Sequence, residues 1–215
     1  MRIVIAGGHG KIALHLERML AQAGDEPAGL VRNPDHAADL EAVGGEAVVL
    51  DLEKATAGEL ADVVSGADAV VFAAGAGPNS GPERKDTVDR GGAVLLADAA
   101  EQAGVRRYLM VSSMGTDSVD PDSDDVMQVY LRAKAAADED LRSRNLDWTI
   151  VKPGRLTNAD GTGLVQAGRD VDYGEIPRAD VAATLLAALQ TPTTVGRQFN
   201  LVGGDQPISQ ALAAL

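Results

Sequence analysis

The chain has 215 residues, 45% of them hydrophobic and 24% charged, the usage of one generous globular domain rather than of a disordered chain. Its 19 Lys and Arg against 32 Asp and Glu give a formal charge of −13, which disfavours nucleic-acid phosphates and anionic membrane surfaces as partners. Cysteine is absent, which excludes disulfides, thiolate metal sites and cysteine nucleophiles, and the three His (His9, His15, His36) are too scattered to predict a metal site.

From the first residue onward, short apolar runs alternate with amphipathic stretches. The runs predict strands at 2–6, 27–31, 47–50, 69–73, 107–111, 149–152 and 198–201, and the stretches predict helices at 11–23, 34–43, 57–64, 86–102, 125–144 and 178–189. Val, Ile and Leu fill most of the runs without polar alternation, as expected for strands buried on both faces. Strand and helix in repeated alternation predict the α/β class, a mainly parallel sheet with helices on both faces. No apolar run approaches the roughly 18 residues that span a bilayer. The stretch Met1 to Ala6 is broken at once by Gly7-Gly8-His9-Gly10 and is too short for a signal peptide, so a cytoplasmic protein is the expectation.

Three irregular segments leave the carboxyl ends of predicted strands: 75–83 (GAGPNSGPE), 115–125 (GTDSVDPDSDD) and 154–174. Open α/β sheets bind their ligands at that edge, which makes a site there the expectation beside the plainer reading as surface loops. The run IVIAGGHGKIA, residues 3–13, sets Gly7 and Gly10 three apart between a predicted strand and a predicted helix. Glycines there let backbone N–H groups approach a pyrophosphate at a helix N-terminus, and Ala13 permits close helix-on-strand packing. This context predicts dinucleotide binding.

His9 and Lys11 lie inside that turn. His9 reads either as a catalytic base or, with Lys11, as a turn residue beside the phosphates. The second is preferred because no carboxylate is placed to orient His9. At the end of the second strand stands Arg32, where an acidic residue would accept from the ribose 2′-hydroxyl of NAD and an arginine would meet the 2′-phosphate of NADP. NADP is therefore expected as cofactor, with NAD possible, against the alternative of a solvated Arg opening a helix. Asp51 and Leu52 end the third strand and Ala73, Ala74 and Gly75 the fourth, where an adenine or a flat ligand could pass over small residues.

A second constellation is Ser112-Ser113 at the end of the fifth strand, followed by Tyr130 and Lys134, which share a helix face. A lysine in an apolar stripe is costly unless it has a partner or a purpose. An ammonium beside a phenol would lower the phenol pKa towards neutrality and allow acid–base chemistry. The alternative is a snorkelling Lys134 with Tyr130 as core filler.

With GGHGKIA, VRNP, AAGAG, VSSMG, YLRAK, KPGRLT and IPRADVA, the chain resembles the atypical short-chain dehydrogenases/reductases, in particular the small NAD(P)-binding, NAD-dependent epimerase/dehydratase-like members. The resemblance covers nearly the whole chain and implies one Rossmann-like, doubly wound domain over 1–215, with a small substrate cap from loops at about 154–175. It implies Gly7, Gly10 and Ile12 at the pyrophosphate, Arg32 at the 2′-phosphate, Asp51 and Leu52 beside adenine, and Ala73 to Gly75 beside the ribose. Ser113, Tyr130 and Lys134 match the family's Ser–Tyr–Lys set, with Lys134 also holding the nicotinamide ribose, and Pro153, Gly154 and Leu156 would border the nicotinamide.

Two departures matter. The connection before Tyr130 is unusually acidic, with Asp117, Asp120, Asp122, Asp124 and Asp125 bunched together. The segment after Lys152 is too short for the substrate domain of the larger sugar-nucleotide epimerases, so that reaction is not expected. The expected function is reduction of a small carbonyl, quinone or flavin by NADPH, in a monomer or homodimer. The alternatives are a non-catalytic NADP-binding redox sensor and an NADP-binding domain without activity.

Overall fold

The computed structural model describes residues 1–77 and 80–215; Pro78 and Asn79, within the predicted loop 75–83, lie outside the described residues. In chain order the first half runs β1 (Arg2–Ala6), α1 (Lys11–Gln22), β2 (Glu26–Val31), α2 (Ala37–Glu41), β3 (Glu46–Val49), α3 (Ala57–Val64), β4 (Ala69–Phe72), α4 (Pro82–Arg84) and α5 (Gly92–Ala103). It continues through β5 (Arg107–Val111), α6 (Val126–Ser143) and β6 (Asp147–Pro153) to β7 (Arg155–Thr157), β8 (Leu164–Gly168) and β9 (Glu175–Pro177). The last elements are α7 (Arg178–Leu189), β10 (Arg197–Gly203), β11 (Gln206–Pro207) and α8 (Ile208–Ala213). No helix among the described residues is long and apolar enough to cross a membrane.

The main sheet has the order β11-β8-β10-β6-β5-β4-β1-β2-β3, and every pairing from β10 to β3 is parallel. This is a Rossmann-like, doubly wound sheet. Its apolar runs do not alternate with polar residues because both faces are covered. Ile3 and Ile5 join a core with α1, α7 and α8, while Val4 and Ala6 join a second core with α3, α5 and α6. After β1 the chain builds β2 and β3 on one side, then returns to build β4 on the other. The reversal leaves a crevice beyond the carboxyl ends of β1 and β4.

The structure departs from expectation in three places. The predicted helix 34–43 is a 3₁₀ turn, Pro34–His36, opened by the Asn33 side chain and followed by the short α2. The predicted helix 86–102 begins as a π-helical segment, Lys85–Gly91, before α5. Lys85, Val88 and Asp89 lie on its buried side, at the i, i+3, i+4 spacing that continues into the buried face of α5. Finally, the strands β7, β8, β9 and β11 and the short helices α4 and α8 were not expected. β7 pairs with β9 in a separate two-stranded sheet, while β8 and β11 extend the main sheet antiparallel. These strands are two to five residues long and partly exposed, too short for a period-2 signal.

Candidate cofactor cleft and catalytic cluster

The turn after β1 is squeezed between its neighbours. A Cβ on Gly7, whose φ is +84°, would stand 2.6 Å from the Ala74 Cα, and one on Gly8 would stand 2.6 Å from the Gly29 Cα. Neither position has room for a side chain. The Gly10 N–H donates to the Gly7 carbonyl at 2.8 Å, and Gly10 opens α1 with no side chain capping it. No side chain therefore answers the first-turn N–H groups of α1, and the helix dipole favours an anion there. Sequence reasoning had singled out Gly7 and Gly10; the doublet itself was the available signal for Gly8.

A cleft of about 340 Å³ opens over this turn, lined by Gly7, His9 and Gly10, by the ends of β2 and β4, by residues 50–53, and by Arg84 and Val88. It brings together Arg32, Asp51, Leu52, Ala73, Ala74 and Gly75 as expected from sequence. Ile12 packs its side chain into the core below instead, so only its backbone could serve a ligand. Lys11 reaches away from the turn to the Asn158 Oδ1 at 3.3 Å.

The expectation that no carboxylate orients His9 is corrected: its Nε2 lies 2.7 Å from the Asp39 Oδ2, and its ring stacks on His36 with centroids 3.7 Å apart. Asp39 follows His9 by thirty residues and reaches it only because α2 folds back over the turn, which spacing could not show. At the other rim, Arg32 stands 3.5 Å from Glu53, while Glu53 accepts from Arg84 and from the Thr87 hydroxyl, each at 2.7 Å. The Arg84 hydrogen bond, with further help from Thr87 and Arg32, holds the Glu53 carboxyl below the usual range.

Beyond β4 the site becomes a cluster of buried charge. Lys134 is 3% exposed. Its Nζ donates to the carbonyls of Val111 at 3.2 Å and Ala74 at 3.3 Å, and lies 3.3 Å from the fully buried Asp89 Oδ1. That last contact is one of charge without an aligned hydrogen bond, whereas the Asp89 Oδ2 accepts from the Ala76 N–H at 3.1 Å. Tyr130, four residues before Lys134, is half-buried, and the ammonium over its ring is that of Lys85, 5.5 Å from the centroid. Ser113 is half-buried and its hydroxyl donates to the Met114 carbonyl at 3.1 Å.

The preceding serine is the more deeply embedded. Ser112 Oγ donates to the Asp138 Oδ2 at 2.8 Å, Thr116 donates to the same oxygen at 3.2 Å, and the Lys152 Nζ lies 3.6 Å away. Lys152 in turn donates to Asp117 at 2.8 Å. Burial pushes the Asp138 carboxyl up, against the opposing pull of Ser112, Lys152 and Lys134. Sequence reasoning missed Asp89, Asp138 and Lys152. Asp138 was legible, since it lies four residues after Lys134 on the same helix face. At the rim, Gly154 lies against the Gly174 carbonyl, where a Cβ has no space, and the Pro153 carbonyl accepts from the Met114 N–H at 3.0 Å. Leu156 packs against the core of β1 and α7.

Comparison with known proteins agrees with this geometry. The family model described as NAD(P)H-binding matches residues 7–192. An uncharacterized sugar epimerase of Bacillus subtilis is 37% identical over the full length of both chains. A solved structure from Bacillus halodurans, provisionally named an NAD-dependent epimerase/dehydratase, superposes with a TM-score of 0.92 at 36% identity, covering all of both chains. The crystal structure of an oxidoreductase from Lactococcus lactis does so at 0.88 and 29% identity, covering all of this chain and 96% of that one. With the uncapped glycine turn, the cleft above it and a family match that takes in both, the chain belongs to the NAD(P)H-binding family.

Proposed function

We propose that the protein is an NADP-preferring oxidoreductase that reduces a small carbonyl, quinone or flavin. The observation that carries this reading is the glycine cradle of Gly7, Gly8 and Gly10, which opens on a cleft whose outer rim bears Arg32, His36 and Arg84. Gly7, Gly10 and the α1 N-terminus would hold the pyrophosphate, and Arg32 the adenosine 2′-phosphate. Glu53 does not oppose this. Its charge is engaged at short range by Arg84 and Thr87, and the longer 3.5 Å contact leaves Arg32 able to turn outward. Bound in this cleft, the dinucleotide supplies a hydride.

Tyr130 is assigned as the proton donor to the reduced substrate, Lys134 as the group that tunes it and steadies the ribose, and Ser113 as the clamp on the substrate oxygen. Replacing Arg32 by Ala is expected to lower the NADPH-to-NADH affinity ratio tenfold or more, since a charged hydrogen bond contributes about 1.5–3 kcal/mol. Equilibrium binding of both cofactors checks this, and an unchanged ratio overturns the NADP preference. Tyr130→Phe is expected to lower carbonyl turnover by orders of magnitude.

One observation favours a second reading. Lys134 already meets Asp89 and two carbonyls, so its charge is largely answered within the protein. A chemistry that needs no protein acid, as in flavin or quinone reduction, or a redox sensor that binds NADP without turnover, fits that arrangement too. Turnover of Tyr130→Phe close to wild type selects flavin or quinone reduction. Tight NADPH binding with no oxidation across carbonyls, quinones and flavins selects the sensor.

A further inference from the structure

The sheet outruns its helices on one side. The core that α3, α5 and α6 form over the sheet reaches Ile150 of β6 and stops there. The β10 residues that pair with Ile150 and Lys152 are Gln198 and Asn200, both polar. Over this uncovered stretch lies a groove of about 820 Å³ that shares no residue with the cofactor cleft. Three arginines reach it from three elements: Arg142 from α6, Arg169 from just after β8 and Arg197 from the start of β10.

In a chain of charge −13 most arginines are spoken for. Among the described residues the side chains of all but Arg18, Arg169 and Arg197 have a hydrogen-bond or ion-pair partner, and two of those three line this groove. Arg142 is held in place by Gln198 at 2.6 Å and by Glu139. The acidic residue on the rim, Asp117, is answered by Lys152 at 2.8 Å. Beside the guanidinium groups stands Trp148, half-buried, its inner part packed on the core.

We propose that this groove binds a phosphate monoester carried on a flat ring. The free guanidinium forks of Arg169 and Arg197 take the phosphate oxygens, and the ring lies against the indole. Planar guanidinium forks match oxyanions in pairs of parallel hydrogen bonds, and an aromatic wall adds affinity for a ring but none for a bare ion. The cavity has the size of small-molecule sites.

Trp148 is the single tryptophan of the chain, so its fluorescence reports on this groove. Titration at constant ionic strength with phenyl phosphate and with inorganic phosphate, each followed also by calorimetry, tests the proposal. Saturable binding of phenyl phosphate is expected, at least tenfold tighter than that of inorganic phosphate. It should be weakened tenfold or more in the Arg169→Gln/Arg197→Gln variant and unchanged when NAD⁺, which carries no phosphate monoester, is added to fill the cofactor cleft. Both arginines are exposed, so the variant should unfold at the wild-type temperature. The absence of both a fluorescence change and heat, equal affinity for the two probes, an unaltered response in the double variant, or competition by NAD⁺ each overturns it.

Discussion

Two of the regions that bury carboxylates treat them in opposite ways. Behind β2, Glu17 of α1 is fully buried against Gly29, Leu40 and Gly45, and neither of its oxygens has a hydrogen-bond partner. Below the ends of β4, β5 and β6, Asp89 and Asp138 are equally buried but are met by Lys134 and Lys152. The first region lies behind the glycine turn, where close backbone approach leaves no room for a counter-charge. The second lies under the expected nicotinamide end. A well-packed apolar core would hold that region at least as firmly as buried ion pairs do, so the presence of four buried charges there points to chemistry rather than to stability.

The sharpest way to break this comparison is to remove one member of the paired set. In Asp89→Ala the Lys134 ammonium loses its nearest carboxylate and keeps two carbonyls, at 3.2 and 3.3 Å, and the Phe72 ring, 5.1 Å away, in a site with almost no exposure. An uncompensated buried charge costs about 3–5 kcal/mol, the loss expected in urea unfolding. The double variant Asp89→Ala/Lys134→Met should recover much of it. A double variant as unstable as the sum of the singles would show that the pair is not coupled.

That pairing also marks the limit of what the sequence discloses. The parallel strands, their cofactor edge and the glycine turn were legible because each is a local pattern: an apolar run, a glycine spacing, an amphipathic period. Lys134 was legible as a lysine out of place on an apolar face. Its partner was not, because Asp89 lies 45 residues earlier on another helix and meets it only through the tertiary fold. Helical spacing does set Asp89 on the buried face with Val88 and Ala93, but it says nothing of which side chain from another element meets it there. The same holds for Asp39 against His9 and for Glu53 against Arg32, pairs made by the folding of separate βα units onto one edge.

Glu17 supplies the next largest effect. Burial without a partner pushes its carboxyl up to about 8, from the ordinary 4.5. The folded chain therefore holds a proton that the unfolded chain gives up. Stability is intact below about pH 4.5, declines as pH rises towards 8 and then levels off. Glu17→Gln has no such proton to lose. Its stability relative to wild type should grow across that window by about 2–3 kcal/mol, a displacement discounted for local relaxation at about 1.4 kcal/mol per pKa unit. Thermal unfolding at pH 5, 7 and 9 checks this, and a gap independent of pH would mean that Glu17 is ionised or partnered in the fold.

The smallest effect belongs to an ion pair that burial does not touch. Arg155 and Glu175 bridge β7 and β9 with side chains 69% and 57% exposed. Water already solvates both groups, and holding two long side chains in one geometry offsets most of the attraction, so Arg155→Ala should cost less than about 1 kcal/mol. Backbone contacts at the same place do the joining: the Arg155 N–H donates to the Gly174 carbonyl at 2.8 Å, and Gly154 lies against that carbonyl with no space for a Cβ. Unfolding in low and high salt separates the two contributions. An Arg155→Ala loss comparable to that of Asp89→Ala would mean that proximity of opposite charges, and not their removal from water, governs this molecule. A loss within the expected limit leaves burial as the variable that distinguishes its charges.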